Sequence, residues 1–111
     1  MSLQERPNAH ERFNVITLCG SMRFREEFER LSAQLTLAGN VVLTPVSLES
    51  TFHPSAEERE RLGRIHLQKV DMADEVFVVN VDGHVGESTR GEIDRARARG
   101  LRVTFLVDEP G

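Results

Sequence analysis

A chain of 111 residues is long enough for one compact domain and too short for two. Apolar residues make up 39% and charged residues 29%, a balance that argues against disorder. Fourteen Lys and Arg stand against eighteen Asp and Glu, a net charge of −4, and all six aromatics are Phe, so nucleic acid is a poor partner. No apolar run nears the ~20 residues of a membrane span, and no apolar signal core opens the chain. A cytoplasmic protein without membrane contact is therefore expected. One cysteine excludes an internal disulfide and a cysteine-only zinc site.

Residues 1–12 are polar, contain Pro7 and show no periodicity; they read as a flexible tail before a single domain over 13–111. Phe13 to Cys19 is a short apolar run rich in β-branched residues and closed by Gly20, the signature of a buried strand. From Ser21 the period lengthens. Phe24, Phe28, Leu31 and Leu35 fall at helical spacing with charges between them, and Gly39 is placed to cap the C-terminus. Val41 to Thr44 is a second strand, stopped by Pro45. After an irregular connection over 46–54, Ser55-Ala56-Glu57-Glu58 has the form of a capping box. Leu62, Ile65, His66, Val70 and Ala73 then share one helical face. Glu75 to Val81 is the clearest strand, ended by Asp82-Gly83. Thr89-Arg90-Gly91-Glu92 predicts a further capping box, opening a helix with Ile93, Ala96 and Gly100 on one face. Leu101 to Val107 is the last strand.

This alternation predicts an α/β fold with a four-stranded parallel sheet between helices. Right-handed crossovers favour the strand order 2-1-3-4. The first helix would cover one face and the other two the opposite face. With no helix after the last strand, the first face is only partly covered, and a second copy of the chain is expected to complete it as a homodimer.

Ligands of such sheets bind at the carboxyl ends of the strands where the order reverses, here between the first and third strands. The turn Cys19-Gly20-Ser21-Met22-Arg23 lies there, with a glycine that admits a ligand to the backbone, a helix N-terminus and a positive charge. It reads as an anion cradle or as an ordinary tight turn, since neither a dinucleotide fingerprint nor a P-loop is present. The segment from Asp82 to Glu92 meets the same crevice with glycines, the hydroxyls of Ser88 and Thr89, and three carboxylates. Glu92 serves either the cap or a ligand. His66 reads as a packed residue, Cys19 as core, and no His/Cys spacing suggests a metal.

Three blocks together resemble the nucleoside 2-deoxyribosyltransferase-like superfamily, which includes the 2′-deoxynucleoside 5′-monophosphate N-glycosidases. They are Leu18-Cys19-Gly20-Ser21-Met22-Arg23, Ala73-Asp74-Glu75-Val76-Phe77-Val78-Val79, and Ser88-Thr89-Arg90-Gly91-Glu92-Ile93 with Ala96, Ala98 and Gly100. The resemblance spans about residues 14 to 107 and implies a small flavodoxin-like, Rossmann-like three-layer fold that works as a dimer or larger oligomer. It implies that Glu92 is the nucleophile toward the anomeric carbon of a nucleoside or nucleoside 5′-monophosphate, with no cofactor. Gly20, Ser21, Arg23, Ser88 and Thr89 match the phosphate-holding positions, and Cys19 and Met22 lie in the same loop. The family's Asp that helps protonate the leaving base is replaced by His66, which could act as a general acid. Asp82 could partly replace that acid. The family's Tyr near the end of the first strand is also missing, with Thr17 and Leu18 in its place. These expectations favour an N-glycosidase or (deoxy)ribosyltransferase. The alternatives are a non-catalytic nucleotide- or phosphate-binding module on the same scaffold and an assembly module.

Overall fold

The computed structural model describes residues 11–48 and 51–108. Its elements are β1 (Asn14–Cys19), α1 (Arg25–Leu37), β2 (Asn40–Leu43), α2 (Ala56–Asp71), β3 (Glu75–Val78), α3 (Glu87–Ala98) and β4 (Arg102–Phe105). Short 3-10 turns at Met22–Phe24 and Val81–Gly83 lead toward α1 and α3. All strand pairs are parallel and their order is β2-β1-β3-β4, as expected. This is the flavodoxin-like three-layer architecture. Among the described residues, no helix is long and apolar enough to cross a membrane.

The period of two along each strand divides the core. Ile16 and Leu18 of β1 pack with Phe28 and Leu31 of α1 and with Val79. Cys19, Val76 and Val78 pack with Val70 of α2 and with Ile93 and Ala96 of α3 on the other face. Each fully buried aliphatic side chain contributes about 1.5–3 kcal/mol of transfer free energy, so both layers are needed to hold the sheet.

Local chemistry sets the boundaries. Ser55 Oγ accepts from Glu58 N and Glu58 Oε1 from Ser55 N, the reciprocal pair expected at the start of α2. Asp74, next to β3, accepts the Val15 N–H at 2.8 Å and pairs with Arg12 at 2.9 Å. The Ala73-Asp74 element thus ties the entry of β3 to β1. Of the expected tail, only Glu11 and Arg12 are described; its remainder, residues 1–10, lies outside the described residues.

Three expectations are corrected. Strand β3 ends at Val78 instead of Val81, because the buried Asn80 side chain takes over the pairing: it donates to Val107 O and accepts from Val107 N, both at 2.8 Å. Ile65 is exposed, since the buried stripe of α2 runs through His66 and Val70 and turns Ile65 outward. Helix α3 begins at Glu87 with Gly86 as its N-cap, so Thr89 is no cap and Glu92 no capping-box partner. The chain enters the helix one turn earlier than the Thr-x-x-Glu pattern suggests.

Candidate active site

That earlier start relocates Glu92. As the sixth residue of α3 it lies beyond the first turn, on one stripe with Ser88 at i−4, and it faces the sheet. Helix α2 supplies the opposite wall through Arg59, Leu62 and His66, again at helical spacing. Gly20, directly after β1, lines the floor, and Cys19 at the end of β1 is fully buried. A β-carbon on Gly20 would stand 2.7 Å from Val79 O, so only glycine lets β1 and β3 approach this closely at the crevice.

The resulting cleft of about 540 Å³ is of small-molecule size. It sits at the reversal of strand order between β1 and β3. Gly20, Met22, Ser88, Thr89, Glu92 and His66 line it, together with Arg25, Arg59, Phe52 and the apolar residues Val46, Leu48 and Leu62. A groove of about 580 Å³ runs beside α1, but no buried ionisable group lines it. The chemistry is concentrated in the cleft between α2 and α3.

At its floor, His66 Nε2 stands 3.6 Å from Glu92 Oε1, with side chains only 8% and 13% exposed. The Cys19 thiol lies against the Glu92 carboxylate. One side-chain heteroatom from each of Cys19, His66 and Glu92 lies within 4.8 Å of the other two. Among the described residues, neither imidazole nitrogen of His66 has a hydrogen-bond partner. Burial pushes the Glu92 carboxyl up to about 7, the Cys19 hydrogen bond opposing the shift. Burial, and then the Lys69 charge, lowers His66 to about 4; the nearby Leu18 backbone opposes this without reaching hydrogen-bonding geometry. Burial and the neighbouring Glu92 also push the Cys19 thiol far up. Desolvation therefore dominates the whole cluster. Glu92 lies too far along α3 and too deep for the helix N-terminus to hold it ionised.

Other expected residues fall elsewhere. Ser21 Oγ accepts from Arg23 N at 3.3 Å and caps the 3-10 turn. Arg23 points its guanidinium over the Phe24 ring at 4.8 Å, away from the cleft. Asp82 is exposed in a left-handed conformation (φ 55°) and does not line the cleft either. The basic rim consists instead of Arg25 and Arg59, which sequence reasoning missed. Arg25 Nη2 also donates to Leu48 O at 2.7 Å, fastening the irregular connection beside the cleft. The Arg59-Leu62-His66 spacing was the available signal for Arg59. Nothing comparable marked Arg25 or Phe52. Thr17, at one of the positions of the family's missing Tyr, is fully buried and donates to Lys69 O at 2.7 Å, pinning β1 to α2.

Comparison with protein-family models and with curated proteins yields no match. The fold and the residues themselves carry the functional reading.

Proposed function

We propose that the protein is an N-glycosidase or (deoxy)ribosyltransferase acting on a nucleoside or nucleoside 5′-monophosphate, with Glu92 as the nucleophile. The observation that carries this reading is a nearly buried carboxylate at the floor of a small-molecule cleft, with an imidazole nitrogen 3.6 Å away. The apolar wall of Val46, Leu48 and Phe52 suits a nucleobase, while Arg25, Arg59 and Ser88 suit a 5′-phosphate. The resemblance to the deoxyribosyltransferase-like superfamily points to the same chemistry.

Between about pH 4 and about pH 7 the Glu92–His66 pair holds a single proton. With that proton on Glu92, both groups are neutral. Transfer across the pair leaves a carboxylate and an imidazolium, which are a nucleophile and an acid. The carboxylate bonds to the anomeric carbon as the C–N bond breaks, and the imidazolium proton goes to the leaving base. Water or a second base then releases the sugar from Glu92, neutral His66 accepting the proton of the incoming nucleophile. His66 thus becomes an acid only by taking the proton from Glu92.

A second copy of the chain would cover the half-buried Phe77 and Leu106 on the α1 side of the sheet, in a homodimer of the cytoplasm.

The test is base release from a panel of nucleosides and their monophosphates. Wild type is expected to release base, with a rate that declines as the pH rises past about 7 and the shared proton is lost. Glu92→Gln is expected to lose at least a thousandfold, about 4 kcal/mol of transition-state stabilisation. Equal turnover by the two proteins would overturn the assignment. The low proton affinity of His66 favours one other reading, a nucleotide-binding module without catalysis; calorimetric binding with no base release would select it.

A further inference from the structure

The cluster at the cleft floor has a property that glycoside chemistry does not use: it unites a thiol, an imidazole and a carboxylate from three separate elements. We propose that Cys19, His66 and Glu92 form a binding site for a borderline divalent transition-metal ion of the zinc class, with the fourth coordination position open to the cleft.

The donor set excludes the hard cations. Magnesium and calcium take oxygen ligands, whereas one sulfur, one nitrogen and one oxygen suit zinc and its neighbours. Zinc bonds of about 2.3 Å to sulfur and about 2.0–2.2 Å to nitrogen and oxygen separate tetrahedral ligand atoms by roughly 3.4–3.6 Å. His66 Nε2 and Glu92 Oε1 already stand 3.6 Å apart. The widest separation within the trio is no more than 4.8 Å, so side-chain rotation of about an ångström closes the set.

A second observation points to a ligand independently of the trio. His66 is 6% exposed, faces Glu92, and among the described residues finds no hydrogen-bond partner for either ring nitrogen. A buried polar group ordinarily finds a partner, and an orphaned imidazole costs free energy that a metal bond would recover. The Leu18 backbone lies beside the ring, where the other N–H of a metal-bound histidine would find its acceptor. Charge closes the argument. On binding, the Cys19 thiol and, below about pH 7, the Glu92 carboxyl release their protons to solvent, and thiolate plus carboxylate balance the dication. Three protein ligands with an open fourth position are the arrangement of a zinc ion that reaches a ligand, not of a purely structural one. The ion would occupy the oxygen that otherwise attacks sugar, so zinc is expected to suppress base release.

Cobalt(II), which takes the place of zinc and is coloured, tests this on the metal-free full chain. Wild type is expected to bind one equivalent per chain, with a near-ultraviolet thiolate-to-cobalt band and intense visible bands of tetrahedral coordination, both displaced by zinc. Cys19→Ser should abolish the near-ultraviolet band, and Glu92→Gln, which keeps the thiol and the imidazole, should weaken binding at least tenfold. Circular dichroism verifies that each variant is folded. Absence of the near-ultraviolet band in wild type overturns the proposal. So does cobalt binding of wild-type affinity in Glu92→Gln, which marks a site that does not use the cleft carboxylate. Base release by the metal-free protein is scored separately, so either reading can fail without the other.

Discussion

Replacing Glu92 by Gln is expected to stabilise the protein at alkaline pH and to leave it nearly unchanged at acid pH. Glu92 retains its proton in the folded state up to about pH 7, while in the unfolded chain the proton leaves near the ordinary 4.5. Between these values the native state binds more protons, so unfolding free energy falls as the pH rises, and above about 7 the full cost is present. The difference of about 2.5 pH units, at 1.36 kcal/mol each, gives about 3 kcal/mol. Gln carries no charge, fits the same space and still offers an oxygen to the Cys19 thiol. His66 runs the other way. Its depressed value means that the unfolded chain binds the extra proton between about pH 4 and 6.5, so its cost is greatest at acid pH and disappears as the pH rises. In wild type the two gradients oppose each other between pH 4.5 and 6.5, and stability there is flat. In the variant, stability should climb through that interval. Urea denaturation at pH 4.5 and pH 8, at one protein concentration, measures this directly. With a typical slope of about 1–3 kcal/mol per molar urea, the midpoint at pH 8 should rise by about 1–3 M. A variant no more stable than wild type at pH 8, or one shifted equally at both pH values, would refute a buried, desolvated Glu92.

The remaining predictions concern the frame of the site. Gly20→Ala would place a β-carbon 2.7 Å from Val79 O and 3.2 Å from the Phe28 ring, forcing β1 and β3 apart. It should cost about 1–3 kcal/mol in chemical denaturation and disturb ligand binding more than a surface substitution does. Asn80→Ala removes both bonds to Val107 and leaves a partly buried backbone N–H and C=O without partners. A loss of about 2–3 kcal/mol is expected, with amide hydrogen exchange accelerated at the end of β4 before the rest of the sheet.

Much of the fold was legible because it follows from local rules. The apolar β-branched run at 14–19, the Phe24-Phe28-Leu31-Leu35 stripe and the capping box at Ser55 each act over a few residues, and the handedness of parallel crossovers does the rest. The boundaries that shifted depend on distant partners. The end of β3 is set by Asn80 reaching Val107, 27 positions away, and the start of α3 by the chain's path from β3. Glu92 was recognisable as a candidate through the resemblance, but the capping box expected of Thr89 and Glu92 is absent, because α3 already begins at Glu87.

The sequence by itself determined the layer order, the switch-point crevice and the presence of Gly20, Ser88, Thr89 and Glu92 around it, since strand periodicity and crossover handedness leave few other arrangements. Only the tertiary structure decided the chemistry at that place. Cys19, His66 and Glu92 are 47 and 26 residues apart along the chain, a spacing that matches no local motif, and packing alone brings them within 4.8 Å. Packing also removes their water. Desolvation is a property of the assembled layers, and it raises Glu92 and lowers His66, which sequence neighbours alone do not.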